Sequence, residues 1–198
     1  LKPGGGKTKI KVSFDFEVPR YGTDRMGRLP TKNGTVYTVA QWFPRMCVYD
    51  DVLAWNTLPY IGAGEFYLEY GNFEYTITAP SELLVTGSGE LLNPQECLTT
   101  KQISRWNEAK KSDATVIIRG KDELNERSSR PAKSTCTWRF KISNARDIAW
   151  AASKAFIWDA ARINLQEGKK AMAQSFYPEE SIKQDGWQRS TEFTKASI

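Results

Sequence analysis

Histidine is absent from all 198 residues of this chain, and its absence limits the chemistry more than any residue present. Histidine titrates near neutral pH and is the commonest imidazole ligand of zinc. Its absence excludes Ser-His-Asp and Cys-His catalysis, and every zinc site that uses an imidazole. Carboxylate pairs, an isolated Lys or Tyr, and an all-cysteine metal site remain, and none has a convincing signature. We therefore expect a chain that binds, positions or supports, with no catalytic residue, metal ligand or cofactor of its own.

Two adjacent carboxylates, Asp50 and Asp51, are the candidates for cation binding or acid–base work. Consecutive residues of a strand point to opposite faces, so these side chains would not converge. A turn or capping role is the better interpretation for aspartates in this position. Asp15 and Glu17 share one strand face, but that face also carries lysines, which favours solvation.

The three cysteines, Cys47, Cys97 and Cys136, are far apart and odd in number. No Cys-x-x-C pair is present, so neither a zinc ribbon nor a redox pair is supported. Cys136 alternates with Trp138 and Phe140, which indicates a small buried apolar side chain. One disulfide remains possible, because the spacing of the cysteines alone cannot show whether two of them pair.

Composition limits the partners of the chain. The formal charge is +5, and charges of both signs are interspersed, so we expect no nucleic-acid partner. No apolar stretch approaches the length of a membrane span. The opening residues 1–6 are typical of a loop inside a longer protein.

The clearest predicted strand covers residues 9–18, where apolar and polar side chains alternate with period two. The apolar face carries Ile10, Val12, Phe14, Phe16 and Val18. The polar face carries Lys9, Lys11, Ser13, Asp15 and Glu17. This pattern is typical of a half-buried antiparallel strand. Residues 21–30, with Gly22, Gly27, Arg25 and Arg28, and with Arg20 directly before them, are predicted to form a long loop.

Further elements are predicted by the same reasoning. Short strands are expected at 35–39 after an Asn33-Gly34 turn, at 66–70 and 73–77 around Gly71-Asn72, and at 83–86, 115–118 and 136–142, with a helix at 100–111. Strands at 156–158 and 171–176 and a helix at 187–198 follow. Short strands separated by turns favour a mainly β fold, an antiparallel β-sandwich. The aromatic run between Phe66 and Tyr75 is interpreted as core and cross-strand pairs, with a sugar-binding floor as the alternative.

Three stretches, in this order, resemble the aminopeptidase N family of zinc metallopeptidases, notably its large bacterial envelope or secreted members. They are 41–51 (QWFPRMCVYDD), 73–89 (containing FEYTITAP and LVTGSG) and 140–153 (FKISNARDIAWAAS). The family's F-P-C-x-D-E-P motif is altered here, since Phe43-Pro44 is followed by Arg45. The resemblance extends over residues 10–198.

In that family an N-terminal β-sandwich precedes a thermolysin-like domain whose H-E-x-x-H motif binds zinc and supplies the general base. That motif is absent here, so the resemblance implies a non-catalytic piece, with zinc only in the parent protein. Residues 1–146 would be the later, incomplete part of the sandwich. Residues 147–198 would be the opening strands and a truncated helix of the catalytic domain. Such a piece leaves sheet edges unpaired, and dimerisation through them is a hypothesis.

The resemblance also implies one substrate-binding residue, Gln41, which would hold the free α-amine of a peptide substrate with its side-chain carbonyl. An ordinary surface glutamine at a strand end is the alternative. The parent would be an aminopeptidase in the periplasm or outside the cell. The alternative function is a stand-alone β-sandwich that binds carbohydrate or a protein partner, because fold alone does not decide function.

Overall fold

The computed structural model describes residues 4–20, 25–59, 62, 66–182 and 186–198. These residues form twelve strands and three α-helices. The strands are β1 (Met26–Thr31), β2 (Gly34–Ala40), β3 (Tyr49–Asp50), β4 (Ala54–Trp55), β5 (Gly71–Pro80), β6 (Leu84–Gly87), β7 (Glu90–Leu91), β8 (Val116–Arg119), β9 (Thr135–Ala145), β10 (Ala149–Ser153), β11 (Ile157–Asn164) and β12 (Lys170–Tyr177). The helices are α1 (Pro94–Cys97), α2 (Thr100–Ala109) and α3 (Ser190–Ala196).

The described strands form four antiparallel sheets, which confirms the mainly β prediction. Their orders are β1-β2-β10-β6, β12-β11-β8, β5-β9-β7 and β3-β4. Strands from both sides of position 146 share two of these sheets, since β10 lies between β2 and β6 and β11 pairs with β8. No helix among the described residues is long and apolar enough to cross a bilayer.

The longest pairing joins β5 to β9, and its alternation is the one the sequence predicted. Cys136, Trp138 and Phe140 of β9 are buried, while the residues between them are exposed. On the outer face the hydroxyls of Thr78 and Thr137 are 2.9 Å apart, a cross-strand hydrogen bond. The buried face of this pair supplies one side of the main core.

The main core collects side chains from three sheets and from α2. Trp138 and Phe140 of β9 meet Trp158 of β11 and Trp106 of α2 in one cluster of buried residues. Trp158 stacks on Phe176 of β12, with 5.2 Å between ring centroids. Large flat rings therefore fill the space where the sheets converge.

Helix α2 confirms the predicted helix at 100–111 and begins at a capping box. The Thr99 hydroxyl accepts from the backbone N–H of Gln102. The side-chain carbonyl of Gln102 accepts in turn from the backbone N–H of Thr99 at 3.0 Å. The Gln102 amide also donates to the Ser129 carbonyl at 2.9 Å. These bonds fix the start of the helix against the loop that follows β8.

Glu123 joins α2 to the end of β8 and should make the fold acid-sensitive. Its carboxylate accepts from Lys101 Nζ at 2.6 Å, Arg105 Nη1 at 2.7 Å and the Gly120 N–H at 2.8 Å. Burial raises the pKa of Glu123, but these bonds outweigh it and leave the pKa at about 2. A lowered folded-state pKa stabilises the fold above the unfolded value near 4.5, and that contribution is lost as pH falls towards 2.

Glu123→Gln should therefore flatten the fall in the free energy of unfolding between about pH 5 and pH 2, measured by urea titration. Glu108→Gln, on the exposed face of α2, is the matched control and should retain the wild-type profile. An acid profile of Glu123→Gln that matched wild type would contradict the assignment.

Three predictions about local structure were wrong. Residues 9–18 form no strand, and no backbone hydrogen bond pairs them with a strand among the described residues. Part of the predicted 21–30 loop is strand β1. The turn at Lys32 and Asn33 sets Thr31 opposite Gly34, and β1 pairs with β2 from that point. Residues 21–24 lie outside the described residues. The described residues 66–70 form no strand, and β5 begins only at Gly71.

The predicted strands at 156–158 and 171–176 and the predicted helix at 187–198 were confirmed. β11 and β12 form a hairpin in continuous register from Ile157–Tyr177 to Asn164–Lys170, with Glu167 and Gly168 in the connection. Helix α3 follows a single 3-10 turn and lies against this hairpin.

Candidate functional site

Gln41 lies where strand β2 ends, in backbone geometry that ordinary residues seldom adopt. Its φ is +52°, in the left-handed region that favours glycine. Non-glycine residues in that region are strained, and they cluster at sites where the strain serves binding. The geometry turns the chain out of the sheet directly before Trp42.

Gln41 borders an open hollow of about 290 Å³, named here the Gln41 hollow. Its lining also includes Phe43, Arg45, Asn56, Phe66 and Tyr67. Phe66 and Tyr67 are exposed to solvent, at 40% and 59%. Tyr70 is 57% exposed as well, so the interpretation of the aromatic run as core is wrong at these three positions. The hollow combines an amide, aromatic rings and an open mouth.

Arg45 fixes one wall of the hollow. Its Nη1 is 3.1 Å from Asp147 Oδ1 and donates to the Arg146 carbonyl at 3.3 Å. Its guanidinium lies 5.5 Å from the ring centroid of Phe43 and 5.9 Å from that of Phe66. Because the ion pair joins residues 102 positions apart, it holds the 41–51 stretch against the segment that follows β9.

Asp50 has the turn role expected of it. Its Oδ1 accepts from the N–H groups of Val52 at 3.1 Å and Leu53 at 2.7 Å. Its Oδ2 accepts from the Asn56 amide at 2.9 Å. The Leu53 N–H and the Asn56 amide lower the pKa of Asp50. Asp50 therefore holds Asn56, which lines the hollow, while Asp51 is exposed.

Among the described residues, the side chains that could bind zinc do not gather at one place. The chain has no histidine, and no three cysteine or carboxylate side chains among the described residues meet closely enough to hold a metal ion. Cys47, Cys97 and Cys136 are free thiols. Burial raises the pKa of Cys97 to about 12, with the neighbouring Cys136 adding to the effect. A thiol with this pKa stays protonated and is a poor metal ligand or nucleophile.

A larger cleft of about 420 Å³ lies away from Gln41 and shares no lining residue with its hollow. Its walls include the buried rings of Trp106, Trp138 and Trp158. Their indole N–H groups have no hydrogen-bond partner among the described residues. One face of the Trp158 ring is already stacked on Phe176, so that face is not free to stack on a ligand. We interpret it as a gap in the core.

Gln41 was predicted from a resemblance, but the other residues that line the hollow were not predicted from the sequence. Phe66 and Tyr67 come from a segment about twenty-five residues further on, and Arg45 was noted only as a departure from a motif. An arginine directly after Phe43-Pro44, close to exposed aromatic residues, is the signal that could have indicated a shaped wall.

No family model, curated protein or solved structure matches this chain. The motifs quoted above are therefore the whole basis of the resemblance.

Proposed function

We propose that this chain is a non-catalytic segment of a zinc-dependent, aminopeptidase-like metallopeptidase, in which it forms one wall of the peptide cleft. The observation that carries the proposal is Gln41, held at φ +52° on the border of an open, aromatic-lined hollow. In this proposal residues 1–146 are later strands of a β-sandwich. Residues 147–198 are the opening of a thermolysin-like domain, and the parent is periplasmic or extracellular.

The chemistry of the hollow suits the amino end of a peptide. A glutamine carbonyl accepts a hydrogen bond from an ammonium group. Phe43 and Phe66 offer apolar surface for the first side chain, and Tyr67 is exposed beside them. The charge of Arg45 is balanced by Asp147 at 3.1 Å, which lessens repulsion of an incoming cation.

Zinc and the general base lie outside this chain in the proposal. When bound in the parent, zinc would activate the water that cleaves the first peptide bond. The residues here would only bind and orient the substrate. We therefore expect the purified chain to hold no stoichiometric zinc by elemental analysis and to release no product from an aminoacyl anilide.

Gln41 substitutions test the substrate role directly. Leucine amide, which has a free amine, should shift the NMR signals of the Gln41 side chain and of Phe66, whereas N-acetyl-leucine amide should not. Gln41→Gly should abolish the response while leaving the fold intact, because glycine adopts φ +52° without strain. Gln41→Glu should tighten binding by roughly tenfold, because its hydrogen bond to the ammonium is charge-assisted.

Gln166→Gly, at an exposed position outside the hollow, is the matched control and should bind as wild type does. Equal responses to the two ligands, or an unchanged response in Gln41→Gly, would overturn the role of Gln41.

A second candidate function is a stand-alone module that binds carbohydrate or a protein partner. The exposed rings of Tyr67 and Tyr70 favour it. One ring is already engaged, since the Arg146 guanidinium lies 4.8 Å from the Tyr70 centroid. The reading frame downstream of Ile198 separates the candidates: an H-E-x-x-H motif supports the peptidase, and an early stop codon supports the module.

A further inference from the structure

Residues 9–18 have the side-chain pattern of a strand but pair with no strand among the described residues. No backbone hydrogen bond joins them to another described residue. Ile10, Val12, Phe14 and Phe16 are 43–65% exposed. Phe14 and Phe16 stack with 6.2 Å between centroids, so the apolar face is already collected on one side. An exposed alternating segment with free N–H and C=O groups is a template for pairing with another strand.

The nearest edge of the same molecule cannot accept residues 9–15 of this segment. The Arg28 N–H donates to the Pro19 carbonyl at 2.8 Å, which sets Pro19 opposite Arg28 beside β1. Antiparallel pairing continued from that point would set Asp15 opposite Lys32, which already lies in the turn after β1. The edge of β1 is therefore used up before residues 9–15 are reached.

The charges of the segment are complementary to themselves. Along the polar face the order is Lys9, Lys11, Ser13, Asp15, Glu17, with positive residues at one end and negative residues at the other. In an antiparallel copy of the strand, the negative end therefore lies opposite the positive end of the first copy, with Ser13 at the centre. A parallel pair in register would set like charges opposite each other, which is unfavourable.

We propose that residues 9–17 pair antiparallel with the same residues of a second copy of this chain, about a two-fold axis at Ser13. This register sets Lys11 opposite Asp15 and Lys9 opposite Glu17, twice each in the dimer. On the other face it sets Val12 opposite Phe14 and Ile10 opposite Phe16, so the apolar side chains of both copies share one face. The contact is isologous and closed, as expected for a homodimer. It is independent of the proposed function.

The inner charge pair is the one to test, because Lys11 and Asp15 make no ion pair with another described residue. Glu17, by contrast, already contacts Arg28 at 2.7 Å. In sedimentation velocity over about a hundredfold range of concentration, wild type should show a reversible monomer–dimer equilibrium. Lys11→Glu should raise the dimer Kd by about tenfold, since two like-charge pairs replace two opposite-charge pairs.

The double variant Lys11→Glu/Asp15→Lys should restore dimerisation, because it exchanges the two charges and recreates each pair. Lys111→Glu makes the same charge change at an exposed site outside the segment and should leave the Kd unchanged. Equal effects in the single and double variants, or a monomer at every concentration, would overturn the proposal.

Cross-linking tests the register itself. Ser13→Cys in a Cys47→Ser background should form a disulfide-linked dimer on mild oxidation, since residue 13 faces itself across the axis. Lys9→Cys in the same background should not, because the two copies of residue 9 lie about 26 Å apart in this register. Near-ultraviolet circular dichroism checks that each variant is folded. Efficient cross-linking of Lys9→Cys, or none of Ser13→Cys, would contradict the register.

Discussion

Trp158→Ala should lower the free energy of unfolding by about 3–5 kcal/mol. The side chain is 3% exposed, stacks on Phe176 and packs 6.2 Å from Trp106, measured between ring centroids. Its removal leaves a void at the place where sheet β12-β11-β8 meets α2, and rings that are packed on other sides cannot collapse into it. Urea unfolding followed by circular dichroism measures the loss.

Two companion variants make the result specific to packing. Trp158→Phe retains the stack on Phe176 and removes an indole N–H that has no partner among the described residues, so its loss should be clearly smaller than that of alanine. Trp187→Ala removes a ring that is 59% exposed and should change stability by less than about 1 kcal/mol. Equal losses in Trp158→Ala and Trp187→Ala would contradict the described core.

Elements whose signals are local could be predicted from the sequence, and those that depend on a distant partner could not. The alternation of Cys136, Trp138 and Phe140 predicted β9 correctly because β5 lies beside it. The same alternation in residues 9–18 predicted a strand that does not form. Side-chain pattern defines the face that a strand would bury, but pairing needs an edge supplied from elsewhere. For β1 the error was the reverse, because the turn at Asn33 overrode loop-like composition.

The candidate site follows the same division. Gln41 was named through motifs within a few residues of it. Arg45 lies only four residues from Gln41, but the hollow also depends on Phe66 and on the ion pair from Arg45 to Asp147, which are distant from Gln41 in the sequence. The left-handed φ of Gln41 has no signal in the sequence either, because glutamine is an unusual residue for it. Contacts between distant segments convert a plain surface glutamine into a candidate binding residue.

Asp159→Ala should destabilise the protein by roughly 2–4 kcal/mol, because it removes the acceptor of a buried network. Asp159 is 1% exposed and accepts from the Tyr177 hydroxyl at 2.6 Å and from the Thr191 hydroxyl. Thr191 is also 2.8 Å from the Ser175 hydroxyl. The network joins α3 to the β11–β12 hairpin, so its loss should release the helix first. Hydrogen exchange of the α3 amides, compared with those of β9, measures that release.

The Asp159→Asn variant separates the charge of Asp159 from its shape. Burial raises the pKa of Asp159, and the bonds from Thr191 and Tyr177 only oppose that shift. A folded-state pKa above the unfolded value gives stability that is present at low pH and lost as pH rises through the folded pKa. Wild type should therefore lose stability relative to Asp159→Asn as pH rises from about 4, the opposite direction to Glu123. A stability difference between wild type and Asp159→Asn that stayed constant from pH 4 to pH 8 would show that this carboxyl does not titrate with folding.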